Sequence, residues 1–133
     1  MARITHIAVK VDDVDSVEGL YRDVFGLTSG GSWTTPGSRR VTFSDGTVNL
    51  TFLQYDSEEE PGAKAVGTGP AIHHFGIEVS DVGSYASVLL ERGCELLSAP
   101  DEIPLKFRMP GGPIAELVPE GTFAGGVQQL SGS

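Results

Sequence analysis

Two histidines and one carboxylate stand in stretches of chain where such side chains are out of place. His6 lies in THIAVKV, His74 in HHFGIEV and Glu116 in PIAELVP, three short apolar segments far apart in the sequence. Alternation sets Ile7, Val9 and Val11 on one face of the first and His6, Ala8 and Lys10 on the other. In the second, Phe75, Ile77 and Val79 oppose His74, Gly76 and Glu78. Each imidazole has a minimal neighbour two residues on, Ala8 or Gly76, so the polar face reads as a lined cup with space beside the rings. A carboxylate in a strand as apolar as the third would lose much solvation unless paired or bound to a metal. Two imidazoles and a carboxylate form a facial donor set that holds a divalent ion and leaves coordination positions open for Lewis-acid or redox chemistry. Zn, Fe, Mn, Co or Ni would suit it. The plainer readings are packed core histidines and, for Glu116, an exposed edge position or an ion pair with Lys106 or Arg108.

Other polar residues share the cup face. Glu78 is expected either to pair with Lys10 at the rim or to serve, if desolvated, as a proton acceptor near the metal. Arg40 and Arg108 are placed to hold an anionic substrate or to lie on the surface as ordinary strand charges. His73 should point toward the helix face by alternation, and Trp33, Phe43, Phe52, Phe107 and Met109 read as core.

The elements that must position these residues come as a repeat. Shifting the chain by 68 residues lays THIAVKVDDVDSV on HHFGIEVSDVGSY, with His6 on His74, Val11 on Val79 and Asp13 on Asp81. After each strand a carboxylate, Asp12 or Asp13 and then Asp81, can cap a helix. Val14, Val17, Leu20, Tyr21 and Val24 recur at helical spacing before Gly26, as do Val82, Tyr85, Val88 and Leu89 before Gly93. Strands are expected at about 28–33, 39–45 and 47–55, with Asp45-Gly46 as a hairpin turn, and again at about 94–98, 105–109 and 114–119. Each unit is therefore β-α-β-β-β. Residues 56–70, with Glu58, Glu59, Glu60, Pro61, Gly67, Gly69 and Pro70, read as a solvated linker. The Gly-, Gln- and Ser-rich tail reads as loosely ordered.

The 133 residues suffice for one compact unit, and 39% hydrophobic content supports a core without staples. Nine Lys plus Arg against eighteen Asp plus Glu leave a net charge of -9, which repels nucleic acid and anionic lipid alike. Both are excluded as partners, and the lined cup points instead to a small-molecule substrate. A single cysteine, Cys94, permits no internal disulfide and fits a reducing cytoplasm. No run is long enough to span a membrane, and the opening MARITHIAVK lacks the apolar core of a signal peptide, so the mature chain is expected to begin at residue 1.

The segments THIAV, LYRDVFGL, HHFGIEVSD and AELVP together resemble the vicinal oxygen chelate (VOC) superfamily, the glyoxalase, bleomycin resistance protein and extradiol dioxygenase group, over residues 3–121. The resemblance implies an α+β fold in which two βαβββ modules form a curled mixed sheet cup. The chain would be a single VOC domain over 1–133, with module one at 3–55, a linker at 56–70, module two at 71–121 and a loose tail at 122–133. Metal ligands come from the first and last strands of each module, which carries across to His6, Asn49, His74 and Glu116. Asn49 departs from the Glu or Gln usual at its position in glyoxalases and epimerases; it is shorter, a weaker ligand and no base. The turn Met109-Pro110-Gly111-Gly112-Pro113 also departs from the common pattern. The implied activity is a lyase or isomerase of the glyoxalase or epimerase kind, with a divalent metal stabilising an enolate-like intermediate and Glu116, or more weakly Glu78, carrying the proton. An extradiol-type Fe(II) dioxygenase and a metal-free antibiotic-binding protein are the alternatives. Members of this length are usually homodimers, some with the site shared between chains.

Overall fold

The computed structural model describes residues 2–129; residues 130–133 of the expected tail lie outside the described residues. The first unit runs β1 (Arg3–Lys10), α1 (Val14–Asp23), β2 (Thr28–Thr35), β3 (Ser38–Ser44) and β4 (Asn49–Tyr55). The short helix α2 (Pro61–Lys64) follows, and then β5 (Ala71–Val79), α3 (Ala86–Glu91), β6 (Glu95–Leu96), β7 (Leu105–Arg108) and β8 (Ile114–Pro119). The βαβββ order repeats as expected. All strands join one eight-stranded sheet in the order β2-β3-β4-β1-β5-β8-β7-β6. Its centre is the antiparallel pair β1·β5, flanked by the parallel pairs β1·β4 and β5·β8.

Helix α1 begins where the side chain of Asp13 accepts the Asp15 backbone N–H, satisfying one of the donors a helix start leaves unpaired. Its apolar face lays Val14, Val17 and Tyr21 on Val41, Phe43 and Phe52. In the second unit the expected helix is broken: Val82–Ser84 form a 3-10 turn, and α3 starts only at Ala86. Val82, Tyr85, Ala86 and Leu89 still pack on Leu105, Phe107, Ala115 and Leu117. The two cores thus lie on the helix-covered face and leave the opposite face of the sheet to polar residues.

Two irregularities at the centre reset the alternation. Ile4 pairs with Ile77 and His6 with Gly76, so Thr5 is an extra residue on β1; Ala8 pairs with His74 and Val9 with Ile72, so His73 is an extra residue on β5. A bulge places two consecutive side chains on one side of a strand. His73 is therefore turned toward the cup beside His74, and the expectation that it faces the helices fails for this reason.

The linker and tail are more engaged than their composition suggests. Lys10, 3% exposed, donates from Nζ to Glu58 at 2.8 Å and to the carbonyls of Gly67 at 2.8 Å and Ala63 at 3.4 Å. The expected Lys10–Glu78 ion pair is absent because the linker folds back and supplies the partner. Phe123 in the tail is buried and stacks on the His6 ring with centroids 4.4 Å apart. Among the described residues no helix is long and apolar enough to cross a membrane.

Candidate metal centre

One row of paired residues crosses the middle of the sheet: Lys106 on β7, Glu116 on β8, Gly76 on β5, His6 on β1 and Asn49 on β4. His6 and Glu116 are both neighbours of Gly76, and the missing side chain lets them face one another across it. A Cβ at Gly76 would stand 3.0 Å from the His6 Cβ and 3.2 Å from its Cδ2, too close for the ring to keep its place. His74 sits opposite Ala8, the other minimal neighbour. One chain thus brings together His6, His74 and Glu116, all buried, with their ligand atoms within 4.8 Å of one another. Glu116 Oε1 lies 3.4 Å from His74 Nε2 and 3.8 Å from His6 Nε2.

The hydrogen bonds behind the rings fix which nitrogen faces inward. Asn49 donates from Nδ2 to the Gly126 carbonyl at 3.0 Å and to Thr42 Oγ1 at 2.7 Å. A carbonyl can only accept, so Asn49 Oδ1 is the atom 2.6 Å from His6 Nδ1, and that nitrogen carries the hydrogen. His6 Nε2 is left as a bare acceptor in the neutral ring. On β5 the chain of hydrogen bonds runs through two rings. His73 Nε2 donates to the Gly62 carbonyl at 2.9 Å, with Tyr55 Oη at 3.2 Å. His73 Nδ1 in the neutral ring must then accept, and the group 2.7 Å from it is His74 Nδ1, which donates. His74 Nε2 is also left as an acceptor.

Electrostatics show what these groups lack when both rings are neutral. Burial pushes His6 down to about 4, against a pull upward from Glu116, and burial with the neighbouring His74 pushes His73 down to about 4. For Glu116, burial pushes the carboxyl up, but His74, His6 and Lys106 together hold it below the usual carboxylate range. Two nitrogen lone pairs and a carboxylate converge on one point, and such a group needs a positive charge at its centre. A proton between His74 and Glu116 is one solution, a divalent ion another. Metal–ligand bonds of about 2.1 Å set at tetrahedral angles place donor atoms about 3.4 Å apart; the two spacings from Glu116, 3.4 and 3.8 Å, are close to that, and with all three donors within 4.8 Å of one another the rings would draw in around an ion. The donor set therefore fits a divalent metal. His6, His74 and Glu116 would hold it, while Asn49 sits behind His6 on the nitrogen turned away from the site.

The triad opens into a cavity of about 240 Å³. Ala8, Thr51, Leu53, Tyr55 and His73 line it, as do Trp33, Arg40, Pro104 and Lys106. Trp33 is thus a wall residue, 36% exposed, whereas Phe43, Phe52 and Phe107 are core as expected. Arg108 is absent from the cavity: it binds the carbonyls of Ala65 at 3.0 Å and Gly112 at 3.4 Å and faces Glu95 at 3.9 Å. Glu78 is not gathered with the triad. Its carboxylate accepts the backbone N–H groups of Gly121 at 3.0 Å and Phe123 at 2.8 Å and the Thr5 hydroxyl at 3.1 Å, so it ties the tail to the sheet.

The family model of the Glyoxalase/Bleomycin resistance protein/Dioxygenase superfamily matches residues 3–109. The chain belongs to this superfamily. Solved structures of similar fold include hypothetical protein BH1468 from Bacillus halodurans C-125, at 21% identity and TM-score 0.76, covering 90% of this chain and 94% of that one. A mutant of 4-hydroxymandelate synthase from Streptomyces coelicolor matches at 22% identity and TM-score 0.76, covering 96% of this chain but 38% of that one. Methylmalonyl-CoA epimerase from Mycobacterium tuberculosis matches at 21% identity and TM-score 0.69, covering 91% of this chain and 90% of that one. No curated protein matches the chain. These neighbours share the superfamily fold, and at such identities the likeness is one of fold alone.

Besides Trp33, Glu78 and Arg108, sequence reasoning misplaces His73, which lines the cavity beside His74. Its signal was present as the His-His pair, but a period-two reading sends neighbours to opposite faces and cannot register a bulge.

Proposed function

We propose that the chain is a metal-dependent lyase or isomerase that takes a small oxygenated substrate into the cup and moves a proton at the carbon beside a carbonyl. The observation that carries this reading is the pair of fixed tautomers: His6 and His74 both turn a bare Nε2 to Glu116, behind hydrogen bonds that leave no other neutral arrangement. A packed core histidine has no need of that, and neither does a metal-free antibiotic binder. A divalent ion held there would act as a Lewis acid toward substrate oxygens and favour the negative charge that develops as a C–H proton leaves.

The chain's own groups supply the rest. His6 and His74 bind through Nε2, and Asn49 and His73 keep those rings in place from behind. Glu116 is the acidic residue among those lining the cavity, so the proton falls to it. Its Oε1 faces the imidazoles; Oε2 takes up and returns the proton. Glu78, whose carboxylate already accepts three hydrogen bonds, anchors the tail rather than exchanging protons. Phe123 over the His6 ring keeps water from that side of the centre.

One observation favours a second reading. With Asn49 behind His6, the inward donors are two imidazoles and a carboxylate, the set that non-haem iron(II) oxygenases use, which keeps a ring-cleaving dioxygenase in view. The test begins with metal content after loading with Zn(II), Co(II), Ni(II), Mn(II) and anaerobic Fe(II), in the wild type and Glu116→Gln. Under argon in deuterium oxide, a panel of 2-oxo acids and methylmalonyl-CoA would then be followed for exchange of the C–H beside the carbonyl. Metal-dependent exchange that is lost in a folded Glu116→Gln supports the lyase or isomerase. Oxygen uptake on catechols by the Fe(II) form, with no exchange on any substrate, assigns the dioxygenase instead. Failure to bind any metal overturns both.

A further inference from the structure

The cup has a second half, opposite in charge to the first. Arg40 on β3 and Lys106 on β7 line the same cavity as the triad, from opposite wings of the sheet. In a chain with twice as many acidic as basic residues, four cations make no ion pair among the described residues; Arg3 and Arg92 are exposed to water, whereas Arg40 and Lys106 are half-buried. The polar contact of the Arg40 side chain is a long one, 3.4 Å from Nε to Ser38 Oγ. Lys106 stands opposite Glu116 across β7·β8, near enough to help hold that carboxyl low, yet Glu116 turns its Oε1 to the histidines. Both cations also act on His73, and Arg40 on His6, so both lie within electrostatic reach of the centre.

Two half-buried cations beside a site with one carboxylate are costly without an anion to share. Their surroundings suggest the rest of the ligand. Arg40 is flanked across the strands by Trp33 and Leu53, and Ala8 and Pro104 add apolar surface to the cavity. The space, about 240 Å³, has room for on the order of eight water-sized groups.

We propose that Arg40 and Lys106 form an anion subsite, and that the substrate is a small organic acid whose carboxylate they hold while its other oxygen donors reach His6, His74 and Glu116. The second clause rests on the metal reading above; the anion subsite stands on Arg40 and Lys106 alone. Long cationic side chains on facing walls would bracket the carboxylate, and the apolar body of the acid would lie against Trp33 and Leu53.

The probes are 2-hydroxy-3-methylbutanoate and its primary amide, which share size and oxygen donors and differ in charge. Binding of each is measured by calorimetry at low salt, on Zn(II)-loaded and on chelated protein, for the wild type, Arg40→Gln, Lys106→Gln and the double variant. The wild type should prefer the acid by about ten-fold or more, and the preference should shrink with added salt. The double variant should lose most of that preference at unchanged Zn(II) content and fold, with each single variant between. If the double variant does not fold, the singles carry the comparison. A preference that survives Gln at both positions, with Zn(II) bound, would come from the metal and would overturn the proposal while leaving the metal reading intact. Protein that takes up no Zn(II) but still loses its acid preference in the variants would keep the anion subsite and sink the metal reading. A wild type that binds acid and amide equally well refutes the subsite outright.

Discussion

The bond from His74 Nδ1 would make His73 a positioning residue for a ligand it does not replace, and His73→Phe tests that role. Phenylalanine fills the ring volume but accepts no hydrogen bond, so the His74 Nδ1–H now 2.7 Å from the His73 nitrogen would lose its partner in a place that is 8% exposed. Leaving a buried donor unsatisfied costs about 1 to 3 kcal/mol. Metal binding requires that hydrogen to stay on Nδ1, whereas the metal-free ring can move it to Nε2 beside Glu116 and recover the bond there. Most of the cost therefore falls on the loaded state, and metal affinity should drop by roughly ten- to a hundred-fold, in line with other groups that orient a ligand from behind. His73→Asn is the rescue, because its side-chain oxygen occupies nearly the position of Nδ1 and should restore affinity to within about five-fold of the wild type. The assay is competition for Zn(II) against a chromophoric chelator near neutral pH, with nitrogen NMR of the loaded protein to read the tautomers of His6 and His74. Phe and Asn variants that bind Zn(II) equally tightly, or a spectrum with the hydrogen of His74 on Nε2 in loaded protein, would refute the relay.

Glu78→Gln should lower stability by about 1 to 3 kcal/mol, since the amide keeps one acceptor and sets donors against the N–H groups of Gly121 and Phe123, while Zn(II) affinity stays within about two-fold. Metal binding that collapses in a variant of normal thermal stability would return Glu78 to the site. Asn49→Glu puts a charge at a position 1% exposed and removes both donations, to Thr42 and Gly126, so it should cost about 3 kcal/mol or more and bring no gain in metal affinity. An equally stable variant with ten-fold tighter Zn(II) would make the residue at 49 a ligand. For chelated protein, His6 is protonated at about 6.5 when unfolded but only at about 4 when folded, so the unfolded state binds the extra proton between those values. Stability is then complete above about pH 6.5 and falls as pH drops through that window, by about 3 kcal/mol from His6 alone, with His73 acting in the same direction. Urea midpoints that do not change from pH 7 to pH 5 would contradict it.

How much of this was legible depended on whether a residue's role is set by period or by a distant partner. The repeat carried the fold: strands β1 and β5 fall where a shift of 68 residues lays one on the other, and the helices follow their capping aspartates. His6, His74 and Glu116 were legible because each breaks an apolar pattern, and Gly76 and Ala8 because small residues beside a ring mean space. Asn49 came only through resemblance, and its work behind His6 emerges from hydrogen bonds spanning 43 and 77 positions, which leave no local trace.

The tail shows why absence of pattern is a poor guide to absence of structure. Gly121, Gly125 and Gly126 read as looseness, yet Gly126 has φ of +78°, and a Cβ there would run into Ser44 Oγ and stand 2.8 Å from the Val48 carbonyl. The glycine is there because the chain passes too close to the sheet for any side chain. That close pass delivers the Gly126 carbonyl to Asn49 and Phe123 to the His6 ring, while the backbone of 121 and 123 binds Glu78. Glu78 looked catalytic for the same reason the tail looked idle. A buried carboxylate on the cup face does need partners, and the partners were backbone N–H groups more than forty residues away, which composition does not encode. A segment that looks too small and polar to pack is therefore what fixes the ring of one candidate ligand, and shortening it at residue 122 should loosen His6 before it unfolds the sheet.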